Sequence, residues 1–514
     1  MRKRVSGIGY RVLLACLSAV LLILSFPGFN LWLLAWVAFI PLFFAIEGQG
    51  PLKAFLLSYL TGVLFFFGTI WWLVHVTLPG MIFAVLYLAL YFGLFGLLLR
   101  YPIPHTLYPL LFFAPSAWVG LEWIRSAGIF GFGWVLLGHS QSFNLPIIQI
   151  ADITGVYGVS FLIIMVNAAL YMVAKDLARR EYRFEPLMIA ALVILLTLRY
   201  GYIRLNNVFT GQPLKVAIVQ GNIPQDRKWD SNFREDILGT YESLTVEAAK
   251  EKPDLIVWPE TSVPGFLESE RDLLERVRGL ASNIGTPLLV GTVREEGGGY
   301  YNSAVLFSEE GRPVERYDKI HLVPFGEYIP FKKIFSFVEK FAPVPIGDCT
   351  AGRDYRVFDF FIERGDVGNG SGWKMLKKVR FSALICFEDI FPSLSREFIK
   401  SGAGFLVNIT NDAWYKETAA PFQHAQSSVF RAVEFRTNVI RAANTGLSCF
   451  IDQKGRISDT VESGGNIFVS GFRTREIILS RAGTPYMRYG DIFACLCMTY
   501  ASLYILARLL KPSA

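Results

Sequence analysis

Three side chains, Glu260, Lys319 and Cys386, have the types and the sequence settings that nucleophilic acyl chemistry needs. Cys386 directly follows an apolar run, and Glu260 comes just after another run, so both lie past the ends of strands. Ligand sites in open α/β sheets favour the carboxyl ends of strands. A cysteine there can attack a carbonyl carbon if a base removes its proton. A nearby lysine ammonium favours the thiolate and can stabilise the developing oxyanion.

Each of these residues also has an ordinary structural explanation when it is taken alone. Cys386 could be a small buried residue, Glu260 a surface or capping carboxylate, and Lys319 a solvated side chain. Only the combination favours catalysis. The six cysteines form no CxxC pair and no Cys/His spacing typical of zinc, so the sequence implies no metal.

Residues 214–480 have the composition of a soluble α/β domain that would position these side chains, because short apolar runs alternate with amphipathic stretches. The predicted strands are Leu214–Gln220, Asp254–Trp258, Leu288–Thr292, Ser303–Phe307, Phe381–Ile385 and Phe405–Ile409. The predicted helices are Phe233–Glu251, Arg271–Ile284 and His424–Asn438. The polar, glycine-rich segment Arg364–Lys378 is typical of a loop insertion.

The composition of the whole chain indicates a protein partly embedded in lipid. Of its 514 residues 53% are hydrophobic and 18% are charged, against about 25% charged in soluble domains, and the mean hydropathy is +0.39. This excludes a disordered chain and an ordinary cytosolic enzyme. The predicted spans are Val12–Ser25, Leu31–Ile46, Ala54–Val76, Met81–Leu99, Leu107–Ile124, Val156–Ala174, Leu187–Ile203 and Ile492–Leu510. The predicted organisation is a seven-span region at 1–205, the soluble domain at 214–480, and a final span with its tail at 488–514.

Lysine and arginine in the short loops predict the orientation of this bundle. The basic residues lie at Arg2, Lys3, Arg4, Arg100, Lys175, Arg179, Arg180, Arg183 and Lys511, whereas the connections 27–30 and 77–80 carry none. Short loops rich in lysine and arginine stay in the cytoplasm. Alternation of the spans then places both termini inside and the domain 214–480 outside. The net charge of +7 is modest for this length and requires no nucleic-acid partner.

Two other segments allow more than one interpretation. Glu122 and Arg125 end the fifth predicted span, where they could form an interfacial ion pair or serve a function, since charges near hydrocarbon are costly. The segment Tyr328–Pro345 mixes phenylalanines with lysines. It could be a packed amphipathic helix or a loop that dips into the membrane surface.

The segments IVWPETS (256–262), YDKIHLVPFGEYIP (317–330) and ALICFEDIFP (383–392) resemble the Glu, Lys and Cys elements of the nitrilase, or carbon–nitrogen hydrolase, superfamily. Residues 411–414, Asn-Asp-Ala-Trp, resemble the segment after the nucleophile strand of that family. The resemblance implies a four-layer α-β-β-α domain, so the expected fold class is a membrane bundle carrying an α/β sandwich.

A nitrilase-like domain between seven spans and one further span is similar to the apolipoprotein N-acyltransferase family, and so are the segments 220–225 and 486–491. This resemblance implies that Glu260 is the general base, Lys319 the electrostatic stabiliser and Cys386 the nucleophile. It implies supporting or substrate-binding positions at Glu327, Glu388, Trp229 and Phe387. Phe387 departs from members with tyrosine after the cysteine, which puts a hydroxyl role there in doubt.

The resemblance further implies a ping-pong reaction without a cofactor. A glycerophospholipid would donate an acyl chain through a cysteine thioester, and the α-amine of a diacylglyceryl-cysteine at the N-terminus of an apolipoprotein would accept it. The implied setting is the bacterial inner membrane with the catalytic domain in the periplasm, and the enzyme is expected to be a monomer in contact with membrane lipid.

Two rival functions belong to different classes. A membrane-tethered amidase or nitrilase would give the acyl group to water, and the motifs alone fit it equally well. A transporter or scaffold with a non-catalytic domain would predict repeat symmetry among the spans. We find no such symmetry in the sequence.

Overall fold

The computed structural model describes residues 7–99, 108–128, 130–329, 348–365, 374–480 and 483–510. The chain divides into two compact units. The first comprises Met1–Asn207, Thr418–Gln426 and Thr484–Ala514, and the second comprises Val208–Glu417 and Ser427–Gly483. The two units are therefore not continuous in sequence. Residues 418–426 lie within the predicted soluble domain but belong to the first unit.

The first unit is helical. Its helices are α1 Ile8–Leu24, α2 Ile40–Ile46, α3 Pro51–Ile70, α4 Leu78–Leu98, α5 Tyr108–Arg125, α6 Leu145–Ile148, α7 Ala151–Thr154, α8 Val156–Ala178, α9 Glu185–Asn206, α14 Pro485–Tyr489 and α15 Ile492–Leu509. Short 3₁₀ turns at Trp32–Trp36, Trp71–His75 and Leu137–Gln141 interrupt them. Prolines in the first turn of α2, α3, α4 and α9 suit these starts, because a first-turn N–H needs no helical partner.

Five helices of the described residues are long and apolar enough to cross a membrane: Pro51–His75, Leu78–Leu98, Val156–Ala178, Glu185–Asn206 and Ile492–Leu509. Three of the eight predicted spans do not meet these criteria. Two of them, at Ile8–Leu24 and Trp32–Ile46, are shorter apolar helices, and the third, α5, contains Pro115 and ends on Arg125. Helix α8 is largely buried in the unit, whereas α9 and α15 expose most of their apolar side chains. Exposed leucines such as Leu195 and Leu503 suit lipid as the surrounding solvent.

Glu122 and Arg125 are both buried, but they do not form an ion pair with each other within the described part of the chain. Glu122 Oε1 accepts a hydrogen bond from the Leu137 backbone N–H at 2.7 Å. Arg125 Nη1 donates to the carbonyl oxygens of Trp134 at 3.0 Å and Phe132 at 3.3 Å. Both side chains therefore form hydrogen bonds with backbone groups of the loop that follows α5. Such groups are costly to bury without a hydrogen-bond partner.

The segment Thr418–Gln426 is held in the first unit by Gln423, together with a ring contact between His424 and Trp134 and a hydrogen bond from Gln426 to Ser142. Gln423 Oε1 accepts hydrogen bonds from the indole N–H of Trp72 at 3.0 Å and of Trp134 at 3.1 Å. Its Nε2 donates to the Thr69 carbonyl at 2.9 Å, where α3 gives way to a 3₁₀ turn. One side chain thus pairs three buried polar groups, each of which would be costly to leave unpaired.

The second unit is built on two six-stranded sheets. Its strands are β1 Gln212–Gln220, β2 Leu255–Val257, β3 Leu288–Glu296, β4 Gly299–Phe307, β5 Pro313–Asp318, β6 Phe358–Gly365, β7 Lys374–Ile385, β8 Phe405–Thr410, β9 Asn438–Ala443, β10 Cys449–Ile451, β11 Ile457–Ser458 and β12 Gly471–Leu479. Its helices are α10 Arg234–Ala249, α11 Arg271–Ile284, α12 Pro392–Lys400 and α13 Ala420–Phe435. Helix α13 begins in the first unit and ends in the second.

The two sheets have related topologies. The first has the order β12-β1-β2-β3-β4-β5 and the second has the order β11-β10-β9-β8-β7-β6. In each sheet three central strands are parallel, namely β1, β2 and β3 in one and β7, β8 and β9 in the other, and antiparallel strands flank them. Parallel pairs need crossover connections, and α10, α11, α12 and α13 supply them.

The core between the first sheet and its helices is apolar. Ile237 and Tyr241 of α10, Val277 of α11, and Ile256 and Val290 of the strands are almost fully buried in one cluster. Near-continuous apolar runs such as Val216–Val219 are expected where a strand is covered on both faces. Two sheets with covering helices agree with the predicted nitrilase-like domain.

The predicted strands and helices of this unit are found, with shifts at their ends, but one prediction was wrong. Arg364–Lys378 was expected to be a loop, whereas its two ends form strands: β6 extends to Gly365 and β7 begins at Lys374 in an antiparallel ladder. Residues 366–373 lie outside the described residues. The lysines of β7 lie in the half of the strand that pairs with β6 but not with β8, a position near the sheet edge where charge is tolerated. Most of the segment Tyr328–Pro345 lies outside the described residues.

Candidate active site

Cys386 is the first residue after β7 and begins the 3₁₀ turn Cys386–Ile390. Its φ of +53° lies in the left-handed region, which a non-glycine residue adopts only where the surroundings impose it. Asn408 of the neighbouring strand β8 fixes this turn, because its Nδ2 donates to the Cys386 carbonyl at 2.9 Å. The thiol is thereby projected past the end of a central strand, as the sequence predicted.

Glu388 ties the cysteine turn to the lysine segment. Its Oε1 accepts hydrogen bonds from Tyr317 OH at 2.8 Å, from Ile320 N–H at 2.7 Å and from His321 N–H at 3.0 Å. Its Oε2 accepts from Ile385 N–H at 2.8 Å. Burial raises the pKa of Glu388 to about 7, although these hydrogen bonds oppose the shift. Tyr317 belongs to β5 of the first sheet and Ile385 to β7 of the second. The buried carboxyl group of Glu388 therefore links the two sheets by hydrogen bonds.

Glu260 follows β2 after two residues, and the next residue, Thr261, has a φ of +46°. Its carboxylate is held from the side by Asn302 of β4, whose Nδ2 donates to Oε1 at 2.7 Å. Lys319 Nζ lies 3.5 Å from the same Oε1. The main-chain oxygen of Glu260 accepts a hydrogen bond from Lys228 Nζ at 3.0 Å.

Lys319 comes directly after β5 and is 1% exposed. Its Nζ donates to Glu327 Oε1 at 2.9 Å, and Glu327 Oε2 accepts from the Val323 N–H at 2.8 Å. Burial alone would lower the pKa of Lys319, but the charges of Glu327 and Glu260 outweigh it and raise that pKa. The lysine is therefore a stable cation inside a buried site.

The Cys386 thiol is protonated at rest. Burial and the negative charge of Glu260 raise the pKa of Cys386, and the charge of Lys319 and a hydrogen bond with Thr410 only partly oppose that rise. A thiol in this state is a poor nucleophile until a base removes its proton. Among charged groups, Glu260 and Lys319 have the largest effects on the pKa of this thiol.

The structure brings Glu260, Lys319 and Glu327 into direct contact, and Glu388 binds the lysine segment. The other two predicted positions are less direct. Phe387 is buried and packs edge-on against Phe391, with ring centroids 5.0 Å apart. Trp229 is partly exposed in the turn after β1, and among the described residues it makes no hydrogen bond or ring contact with Glu260, Lys319 or Cys386.

Two residues of the site were missed in the sequence analysis. Asn302 carries no charge and precedes a predicted strand, so nothing in its local pattern marks it. Lys228 adjoins Trp229, and a lysine beside a suspected substrate-site residue was a signal that could have been used. It is 2% exposed, and burial lowers its pKa to about 7 despite the opposing charges of Glu260 and Cys386.

The site contains a second thiol nearby and no metal-binding cluster within the described residues. Cys349 is half-buried, and its N–H donates to the Glu327 carbonyl oxygen at 2.7 Å. Burial and the charge of Glu327 raise the pKa of Cys349 to about 12. A carboxylate base, a fixed cation and a buried thiol on a strained turn can together form and cleave a thioester.

Comparison with known proteins places this chain in a family. Residues 18–169 match the apolipoprotein N-acyltransferase N-terminal domain, and residues 215–466 match carbon-nitrogen hydrolase. The apolipoprotein N-acyltransferase of Geobacter metallireducens is 40% identical, covering 96% of this chain and 94% of its own. Those of Chlorobaculum tepidum and Methylococcus capsulatus are 32% and 33% identical, covering 86% and 93% of this chain and 87% and 92% of theirs. The chain belongs to the apolipoprotein N-acyltransferase family.

Proposed function

We propose that this protein transfers an acyl chain from a glycerophospholipid, through a thioester on Cys386, to the α-amine of a diacylglyceryl-cysteine at the N-terminus of an apolipoprotein. Two linked observations carry the proposal. Lys319 Nζ lies 3.5 Å from Glu260 Oε1, and the charges of both residues act on the pKa of the Cys386 thiol. Membership of the acyltransferase family supplies the two substrates.

In the first half-reaction Glu260 accepts the thiol proton as the sulfur attacks the ester carbonyl. Lys319 stabilises the negative charge that develops on the carbonyl oxygen. The tetrahedral intermediate then expels the glycerol oxygen, which takes the proton from Glu260. The products are the Cys386 thioester and a lysophospholipid. Glu327 keeps Lys319 in place at 2.9 Å throughout.

In the second half-reaction the neutral α-amine attacks the thioester carbonyl. Glu260 takes a proton from the attacking nitrogen, and the thiolate leaves and recovers that proton. The product carries an amide bond, and Cys386 is free again. An acceptor that arrives as an ammonium must first give one proton to solvent. Both half-reactions use the same base and the same cation.

The helices explain why such chemistry needs a membrane. The five apolar helices make this a membrane protein, and its family is bacterial. We propose eight spans in the inner membrane, with Cys386 and its domain on the periplasmic side and with the enzyme acting as a monomer. Both substrates are lipid-anchored, so confining the site to the bilayer surface raises their effective concentration.

A direct test is mass spectrometry of the purified protein after incubation with phospholipid alone. We expect an acyl mass on the peptide that contains Cys386, together with one equivalent of lysophospholipid. Adding a diacylglyceryl-cysteine peptide should remove the acyl group from the protein and place it on the peptide nitrogen. Release of free fatty acid at the same rate with and without the peptide would instead indicate a hydrolase.

Cysteine variants sharpen this test. Cys386→Ser should abolish the thioester, whereas Cys449→Ala should preserve it, since Cys449 lies buried in β10. Cys349→Ala is the more demanding control because Cys349 lies beside Glu327. An acyl group on Cys349 with Cys386 unmodified would overturn the assignment of the nucleophile.

A further inference from the structure

Asn302 contacts more of the charged site than any role in strand pairing requires. It lies in β4 and is 5% exposed. Its side-chain Nδ2 donates to Glu260 Oε1 at 2.7 Å and to Glu327 Oε1 at 2.9 Å. Its main-chain oxygen accepts the Lys319 N–H at 2.8 Å. One uncharged residue therefore touches the base, its neighbouring carboxylate and the backbone of the cation.

The orientation of the amide is fixed by its two carboxylate partners. Both hydrogens of Nδ2 point to carboxylate oxygens, which in their ionised form can only accept. The opposite orientation would set the amide oxygen against them. In consequence Oδ1, although buried, has no hydrogen-bond partner among the described residues. Buried polar atoms normally have a hydrogen-bond partner. The amide orientation of Asn302 therefore pairs both carboxylates at the expense of a hydrogen bond to its own Oδ1.

Asn302 also accounts for how Glu260 and Lys319 are spaced. Lys319 Nζ lies 2.9 Å from Glu327 but 3.5 Å from Glu260. The shortest hydrogen bond to the Glu260 carboxylate comes from Asn302, and it goes to Oε1. No hydrogen bond of the described residues reaches Glu260 Oε2. Asn302 and Lys319 thus share one oxygen and leave the other able to accept a proton.

We infer that Asn302 is a positioning residue for the general base: it holds the Glu260 carboxylate beside Glu327 and keeps it from turning fully onto Lys319. The inference rests on the proposed function, in which Glu260 activates Cys386. Without Asn302 the two carboxylates would share only Lys319, and the base would be drawn into a tight ion pair. In the part of the chain that the structure describes, the charged or titratable groups that act on this pair are Lys319, Lys228, Cys386, Cys349 and Tyr415.

The test compares Asn302→Leu with the wild type in single-turnover acylation of Cys386 by a fluorescent phospholipid, measured from pH 5 to pH 9. Leucine keeps the volume and removes both donors. We expect acylation near pH 7 to fall by about 10- to 100-fold, a part of what a general base supplies. The acid limb of the profile should move to higher pH, because lost donors disfavour the ionised carboxylate.

Ser303→Ala is the matched control. Ser303 adjoins Asn302 in β4, is equally buried, and loses a 2.6 Å hydrogen bond to Asp318 instead. It should leave the acid limb unmoved. Asn302→Asp keeps the side-chain shape, adds an acidic group, and should move the limb at least as far as Asn302→Leu. It also provides the measurement if the leucine variant fails to fold.

The inference is overturned if Asn302→Leu and Asn302→Asp acylate at the wild-type rate, or if they slow acylation equally at every pH. It is also overturned if Ser303→Ala shifts the limb by the same amount. Failure of the wild type itself to form a Cys386 thioester would instead refute the proposed function. The two failures are therefore distinguishable.

Discussion

Lys228 Nζ donates a 3.0 Å hydrogen bond to the main-chain oxygen of Glu260. The acceptor belongs to the peptide unit that precedes Thr261, whose φ is +46°. A left-handed residue such as Thr261 costs free energy unless its surroundings hold it. The lysine therefore supports the turn from the backbone, on a different atom from the one that Asn302 holds.

Replacing this lysine should separate stability from activity. Burial lowers the pKa of Lys228 to about 7, so between about pH 7 and pH 10 the unfolded chain binds this proton and the folded protein does not. The contribution of Lys228 to stability therefore rises with pH over that window and is least favourable below pH 7. The change in melting temperature caused by Lys228→Met should be more favourable at pH 6.5 than at pH 9.5, while acylation falls by about 10-fold.

The matched control is Lys250→Met, directly after the last residue of α10, where the exposed lysine forms an ion pair with Glu247. It should change neither the melting temperature nor acylation appreciably. Unchanged acylation in Lys228→Met would show that the Glu260 turn does not need the lysine.

Glu260→Gln and Lys319→Met should both block acylation of Cys386, for different reasons. Glutamine keeps the shape of the base but loses basicity, which is typically worth about 10²- to 10⁴-fold. Methionine keeps the length of the lysine stem but removes its charge, and one lost oxyanion donor typically costs about 10²- to 10³-fold. The double variant should be little worse than either single variant, because the residues act as a unit. Wild-type acylation in Glu260→Gln, with only the second transfer slowed, would make another carboxylate the activating base.

Glu388→Gln should slow acylation by about 10-fold or more without changing the charge of the nucleophile or base. The new amide group must place an N–H against one of the donors that now bind the carboxyl, most directly the Ile385 N–H at 2.8 Å. An unpaired buried donor costs about 1–3 kcal/mol. Rates measured by single-turnover acylation would contradict this if the glutamine variant matched the wild type.

The pH dependence of stability gives a second measurement on Glu388. Burial raises its pKa to about 7, above the value of about 4.3 in an unfolded chain. The folded protein therefore holds this proton more tightly, and the contribution of Glu388 to stability is full below pH 4.3 and is lost as pH rises to 7. Relative to Glu388→Gln, the wild type should lose unfolding free energy over this range.

The predicted orientation can be tested with single cysteines in a background that lacks the native ones other than Cys386. A membrane-impermeant maleimide added to intact spheroplasts should label a cysteine at Lys250. It should not label one at Arg179, in the turn after α8. The basic loops predict this asymmetry. The reverse pattern would place the site in the cytoplasm and remove the lipoprotein substrate.

Hydropathy and short motifs predicted the larger features of this protein. Apolar runs such as Leu214–Gln220 are long enough to identify strands, and charged segments such as Arg271–Ile284 show a clear helical period. Wrong or missing elements had weaker local signals. The lysines of β7 conceal a strand; they lie in the half that pairs with β6 but not with β8, where one side of the strand is open and charge is tolerated. Strands β10 and β11, with three and two residues, are too short for any pattern to register.

Within the site, the sequence could predict only those residues whose side-chain type and local motif indicate a chemical role. Glu260, Lys319 and Cys386 belong to recognisable segments, although they are far apart in the chain. Asn302 could not be recognised, since an asparagine in a strand has no pattern and its importance depends on which carboxylates the fold brings to it. Hydropathy also could not assign residues 418–426 to the helical unit. Their partners Trp72 and Trp134 lie hundreds of residues earlier in the chain.

The membership of Thr418–Gln426 in the helical unit has a consequence for dissection of the protein. A fragment cut at Val208 and Gly483 would carry Gln423 away from both indoles and from the Thr69 carbonyl. It would also leave the first half of α13 without the residues that it packs against. Two cuts in the chain therefore cannot separate the second unit with all its residues and contacts intact. Exchange of this unit between relatives should succeed only when α13 and the two tryptophans that Gln423 binds are exchanged together.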